Sequence, residues 1–188
     1  QSRTIVHRLR SEYDAVLVGA GTIISDNPLL TVRDTKGRNP VRIVIDGRLR
    51  ADPKSKVFTT ARATRTIVFA SAMYLKRRPT AGQKLIRQGV EIVQCPADAK
   101  GHIPVQAIVG LLGRMGIGSV LVEGGADMFT QFLKSKVANK VYFFIAPALF
   151  GRGLEAFSKV RVKDSVRMTD VASWNVSGDT IVEGYLNR

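Results

Sequence analysis

The chain has 188 residues, 45% of them hydrophobic, which is enough to bury one core and fits a single domain over residues 1–188. Its 29 lysines and arginines against 15 acidic residues give a formal charge of +14, a surface that attracts anions: nucleic acid, a nucleotide cofactor or a phosphorylated small molecule. The single Cys95 excludes an intrachain disulfide and a cysteine-rich zinc site and makes a reducing cytoplasm the expected compartment, while the longest apolar run, VYFFIAPALF, is too short for a bilayer and contains Pro147.

Val6, Leu9 and Tyr13 follow helical spacing, which predicts a helix from Ser2 to Glu12 and gathers Arg3, His7 and Arg10 into a basic stripe on another face. DAVLVGAG is a nearly continuous apolar run closed by glycines, as in a buried strand. Gly19 and Gly21 would bring backbone close to a ligand, Thr22 offers a hydroxyl, and Asp26 begins an Asp-Asn-Pro turn; the same residues also read as a well-made turn and nothing more. LLTVR looks strand-like and ends in Arg33, and the loop over residues 34–40 is expected to be mobile, as is the segment over residues 150–153.

VRIVIDG, RTIVFAS and VEIVQC repeat the buried-strand pattern, and helix-like segments fall at residues 81–88, 104–115 and 127–136. This alternation predicts an α/β protein with a mainly parallel central sheet and helices on both faces. After Asn139 the pattern changes to strands joined by turns, KVYFFIAPALFG, SVRMTDVASWNVSG and DTIVEGYL, which predicts an antiparallel C-terminal edge on that sheet.

VLVEGGADMFTQFL places Glu123 at the end of an apolar strand, followed by two glycines and a helix. The N–H groups and dipole of such a helix start make a seat for a phosphate; a plain strand-to-helix turn capped by Asp127 is the other reading. Glu123, at the carboxyl end of a buried strand, lies where open α/β sheets bind ligands and could accept hydrogen bonds from a substrate, or form a salt bridge to a lysine. Arg10 and Arg33 converging on one site would suit a substrate phosphate, which arginine binds bidentately. His7 could shuttle a proton, but a lone helical histidine is more often a packing or surface residue, and no catalytic role is assigned to it. No nucleophile elbow, metal-binding cluster or P-loop is present, so hydrolase and NTPase readings fall.

Four blocks in order, VHRLRSEYDAVLVGAGTIISDNPLLTVR, PVRIVIDGRLR, VLVEGGADMFTQFL and FFIAPALFGRG, with GDTIVEGYL near the end, resemble the reductase domain of the bifunctional riboflavin biosynthesis deaminase/reductase. The resemblance implies a dihydrofolate-reductase-like fold. It also implies an NADPH-dependent reduction that opens the ribosyl side chain of a phosphorylated aminopyrimidine to ribityl, for which hydride transfer to C1′ of an imine is the expected mechanism. Matched position by position, it implies cofactor contacts at Thr22, Asp26, Gly47 and the run Gly125, Ala126, Asp127, Met128, Phe129, Thr130 and Gln131, to which the glycine turn adds Gly19. Arg48 is a candidate for the cofactor's 2′-phosphate. Substrate contacts are implied at Arg10, Leu30, Arg33 and Glu123, and Asp26 is the expected proton donor, its pKa raised by burial.

The family usually opens with a strand carrying a Ser-Leu-Asp-Gly-like stretch and then a Trp-Ile-Thr-like segment. This sequence begins at Gln1, after both, so it is expected to lack a strand that the family places in the middle of the sheet, as well as the zinc deaminase half. A homodimer is also implied. The same reduction on the diaminopyrimidinone before deamination is one alternative; an inactive scaffold fragment and a basic nucleic-acid-binding domain are others. The last lacks the aromatic platform or recognition helix that such a module needs.

Overall fold

A computed structural model describes residues 2–149, 151, 153, 156–157 and 166–186; half of the expected mobile segment over residues 150–153, positions 150 and 152, lies outside them. The chain opens with α1 (Ser2–Glu12), then β1 (Ala15–Gly19), α2 (Ala20–Asp26), β2 (Val41–Ile45), α3 (Lys56–Thr59), β3 (Thr66–Ser71), α4 (Ala72–Arg77) and α5 (Pro79–Arg87). It continues through β4 (Glu91–Cys95), α6 (Val105–Arg114), β5 (Val120–Gly124), α7 (Ala126–Lys134), β6 (Lys140–Ile145), β7 (Met168–Val176) and β8 (Asp179–Leu186). Helix signals are local where they occur: Pro79 sits in the first turn of α5, and Gly89, at φ 90°, follows its C-cap.

The first five strands form one parallel sheet in the order β4-β3-β2-β1-β5, with Ala15 paired to both Val41 and Val120. Strand alternation sends the two sets of side chains into two separate cores. Val16, Val18, Val44 and Val68 pack with Ile23, Phe58 and Leu85 on the side of α2, α3 and α5. Ala15, Leu17, Ile43, Ile67 and Phe69 pack with Ile108, Leu112, Met128 and Phe132 on the side of α6 and α7. Both faces are therefore covered, as a parallel sheet requires.

The antiparallel strands do not extend this sheet. They pair among themselves as β6-β8-β7, with Lys140 opposite Tyr185, and a two-residue turn at Ser177 (φ 52°) and Gly178 (φ 95°) joins β7 to β8. Positive φ at both turn residues matches the twist of a hairpin. The small sheet is tied instead to α1 and its C-terminal end: Ser2 donates its hydroxyl to Asp179, and Tyr13 hydrogen-bonds Tyr142. Burial first, and Tyr142 second, push the Tyr13 hydroxyl up. Lys140 is raised by its bond to Glu183, 2.9 Å away, and lies over the rings of Tyr142 and Tyr185.

Two further expectations change. Residues read as a turn after Gly19 form α2, because Ala20 and Ile23 give them a buried face against β1. LLTVR is not a strand: residues 27–33 run irregularly, with Asn27 at φ 44° and Leu30 at φ 56°, conformations that no strand ladder accepts. The loop over residues 34–40 is tied down at its far end, where Arg38 reaches Asp14 at 2.7 Å and Asn39 accepts the Val32 N–H at 2.8 Å.

Candidate functional site

Parallel pairing of β1 with β5 brings their carboxyl ends together, so the turn from Gly19 into α2 abuts the turn from Gly124 and Gly125 into α7. The contact is close: a β-carbon on Gly124 would stand 2.7 Å from Thr22 Oγ1. Gly125 is the N-cap of α7 at φ 77°, a left-handed value that favours glycine, and as a glycine it brings no capping side chain of its own. Asp127, expected as a possible cap, lies exposed in the first turn instead.

Within the run expected to wrap a phosphate, the side chains divide. Met128 and Thr130 are buried, Ala126, Phe129 and Gln131 are half-buried, and Gly125 and Asp127 are exposed. Met128 packs against Gly19, so what this run offers a ligand is chiefly the backbone of its first turn. Thr22 and Asp26 stand one helical turn apart on α2. Asp26 is exposed, so the burial expected of the proton donor is not there.

Gly47, one residue beyond Asp46 at the end of β2, is buried; a β-carbon on it would fall 2.0 Å from the Gly101 carbonyl. Packing against that loop therefore accounts for the glycine. Arg48 is half-buried and donates its Nε to the Lys100 carbonyl, which sets two cationic residues side by side at the carboxyl end of the sheet.

The basic stripe of α1 divides: His7 and Arg10 turn inward, 5% and 9% exposed, while Arg3 is exposed. Arg10 donates Nε and NH2 to the two oxygens of Glu123 at 2.6 and 2.5 Å, and NH1 to the Thr31 carbonyl at 3.0 Å. Both carboxylate oxygens are thus engaged by one guanidinium, so the salt bridge expected of Glu123 goes to Arg10 and not to a lysine. His7 Nδ1 accepts the Arg33 N–H at 3.3 Å while its Nε2 faces Asp34 at 3.5 Å. Ser2, Arg3, Val6, His7, Arg10, Arg33 and Phe144 line a cleft of about 460 Å³. The structure therefore brings Arg10 and Arg33 to one cleft, with Glu123 joined through Arg10. Leu30 is 2% exposed and packed in the α2-side core, so its side chain presents nothing to the cleft.

Phe144 was not foreseen, since nothing in the sequence links β6 to α1. Arg3 and His7 were legible as part of the stripe, but not the burial of His7 or its partners Arg33 and Asp34. Among the described residues, no group of histidine, cysteine, aspartate and glutamate is placed to hold a metal ion, and no helix is long and apolar enough to cross a membrane.

The riboflavin biosynthesis protein RibD of Aquifex aeolicus is 37% identical over 155 residues, covering 82% of this chain and 40% of that protein. The 2,5-diamino-6-ribosylamino-4(3H)-pyrimidinone 5′-phosphate reductase of Methanothermobacter thermautotrophicus is 30% identical over 187 residues, covering 95% of this chain and 82% of that one. Among solved structures, a diaminohydroxyphosphoribosylaminopyrimidine deaminase/5-amino-6-(5-phosphoribosylamino)uracil reductase from Thermotoga maritima is 34% identical with a TM-score of 0.75, covering 98% of this chain and 48% of that chain. This chain thus spans about two-fifths of the RibD relative and about half of the Thermotoga protein. The RibD C-terminal domain family matches residues 1–182, and the chain belongs to it.

Proposed function

We propose that this domain is an NADPH-dependent reductase that converts the ribosyl side chain of 5-amino-6-(5-phosphoribosylamino)uracil to ribityl in riboflavin biosynthesis. One observation carries the reading: an arginine-lined cleft is joined, through the Arg10–Glu123 pair, to two abutting glycine turns. The names of the relatives support the same chemistry.

The α7 start fits a dinucleotide phosphate, because its N-cap is a glycine, so Gly125 places no β-carbon over the N–H groups of the first turn. Gly125, Ala126 and Asp127 would hold the pyrophosphate by backbone N–H groups, Gly19, Thr22 and Gly47 would border it, and Arg48 would meet a 2′-phosphate. The bound cofactor supplies the hydride for C1′ of the imine that forms when the ribosylamine ring opens. Arg33 and Arg3 bind the substrate phosphate from the cleft. Glu123, fixed by Arg10, orients the pyrimidine by accepting from its amino groups. Asp26, in contact with solvent, passes a proton from water to the imine nitrogen and does not hold one of its own in reserve.

The test is titration of this chain with NADPH and NADH, with Arg33→Ala and Arg48→Ala as controls, followed by turnover of the two pyrimidines. Arg33→Ala should spare cofactor and impair substrate; Arg48→Ala should weaken NADPH more than NADH. Binding of neither nucleotide by the folded chain would refute the reading and favour a scaffold role. The Methanothermobacter relative favours the diaminopyrimidinone as a second substrate reading, and the ratio of the two turnovers separates them. A homodimer is part of this proposal, supported by exposed Val171 (53%) and Tyr185 (48%) on the small sheet, and sedimentation would test it.

A further inference from the structure

Arg42 has no exposed surface, yet it stands second in β2, amid the apolar residues of a central strand. None of the acceptors its guanidinium reaches is a carboxylate. Nε and NH2 donate to Thr66 Oγ1 at 3.0 and 2.6 Å, NH2 also to the Thr64 carbonyl at 2.8 Å, and NH1 to Thr60 Oγ1 at 2.8 Å and the Leu29 carbonyl at 3.1 Å. Burial without a countercharge pushes its pKa down to about 10. An apolar side chain of similar volume would avoid that desolvation, so the retained guanidinium points to a task beyond filling space.

The task is visible in what it joins. Three of its acceptors, Thr60, Thr64 and Thr66, belong to the end of α3 and the entry to β3, a rigid base inside the fold. The fourth, Leu29, lies in the irregular segment, residues 27–33, that leads to the cleft. The next residue, Leu30, sits at φ 56°, a conformation a leucine adopts only when its surroundings impose it. Beyond it, Arg10 holds the Thr31 carbonyl, Asn39 the Val32 N–H and His7 the Arg33 N–H. Arg42 is thus a core-side anchor of this segment at Leu29, two residues after Asn27, whose Oδ1 accepts the Lys56 N–H of α3 at 2.8 Å, while Arg10 and His7 tie residues 31 and 33 from the cleft side.

We propose that Arg42 is a positioning residue: by fixing the Leu29 carbonyl against the α3–β3 base, it holds Leu30 in its left-handed turn and so aims Arg33 at the cleft. The consequence for substrate rests on the reductase reading above; the consequence for the segment does not. No contact between Arg42 and a ligand is involved.

The experiment compares the whole chain with Arg42→Lys, which keeps the charge but cannot serve all four acceptors. Hydrogen exchange is followed over residues 29–33, with β1 as the internal reference, alongside NADPH affinity and the KM for the phosphorylated pyrimidine. Exchange over residues 29–33 should quicken by about tenfold while β1 stays within about twofold. KM should rise by about tenfold with NADPH affinity unchanged. Uniform quickening that includes β1, unchanged exchange over residues 29–33, or an unchanged KM would each overturn the proposal. If Arg42→Lys does not fold, Thr60→Val removes one NH1 partner from outside the sheet; it should give the same localised quickening, and its absence overturns the proposal. Failure of the wild-type chain to reduce either pyrimidine would sink the reductase reading alone, since the exchange result stands without it.

Discussion

Removing Glu123 should expose how much of the site's order rests on one ion pair. Its carboxylate and the Arg10 guanidinium meet through two bonds at 2.6 and 2.5 Å, with side chains only 16% and 10% exposed. Truncating one member of a buried pair costs about 3–5 kcal/mol, because the survivor is left desolvated and alone. Arg10 keeps its bond to the Thr31 carbonyl, which places Glu123→Leu at the lower end, about 3 kcal/mol. For a chain of this length that is a fall in Tm of roughly 6–12 °C. Arg10→Met should cost about the same, since it strands Glu123 and frees the Thr31 carbonyl. The double variant leaves no unpaired charge, so it should cost about 3 kcal/mol where independent sites would cost about 6, a coupling of about 3 kcal/mol. Urea titration of the four proteins, with m compared across them, measures each difference. Additive losses would refute the argument, because they would mean that neither charge compensates the other.

Gly124→Ala places a β-carbon against Thr22 Oγ1, so it should destabilise the chain by about 1–3 kcal/mol and weaken nucleotide binding, and adding Thr22→Ala should recover most of the stability; no recovery would show that the clash lies elsewhere. Gly47→Ala meets the Gly101 backbone, which has no rotamer to yield, and should cost more than Gly124→Ala on the same urea scale. Asp14 accepts from Arg38, from the Ser119 hydroxyl and from the N–H groups of Gly118 and Ser119, and these bonds, Arg38 first, hold its carboxyl below the ordinary 3.8. The unfolded chain therefore takes up this proton first as pH falls: the stabilisation is complete above the ordinary value and is lost as pH drops through the folded one. Asp14→Asn should accordingly be less stable than wild type at pH 6, with the gap closing toward pH 3, and a gap of the same size at both would contradict it.

The parallel sheet was legible because its strands, AVLVG, VRIVI, TIVFAS and EIVQC, are apolar runs bounded by turn residues and separated by helical periods. The strand-to-helix step at Gly125 was legible for the same local reason, whereas the helix that starts directly after Gly19 was not. What the sequence hid was set by distant contacts. LLTVR has strand composition, but it follows Pro28 and is held by side chains from α1, β2 and residue 39, so no ladder forms. Phe144 enters the cleft only because the small sheet packs against α1. Asp26 has the residue type of a buried acid and sits on an exposed turn of α2, a distinction that composition cannot carry.

The net charge shows the same division most sharply. Counting +14 suggests a surface drawn to polyanions, yet several arginines are structural or paired. Arg42 is wholly enclosed with neutral acceptors, Arg10 is neutralised by Glu123, and Arg38 and Arg65 face Asp14 and Glu91. Among the described residues, Arg3 and Arg33 are the cations left facing the cleft with exposed Phe144 and buried His7 beside them, which is a site sized for a small phosphate and not a track for a nucleic-acid backbone. If so, the chain's affinity for inorganic phosphate should fall on Arg33→Ala while its weak binding to duplex DNA, set by the remaining surface charge, stays as it was; a parallel loss of both would return the basic surface to the nucleic-acid reading.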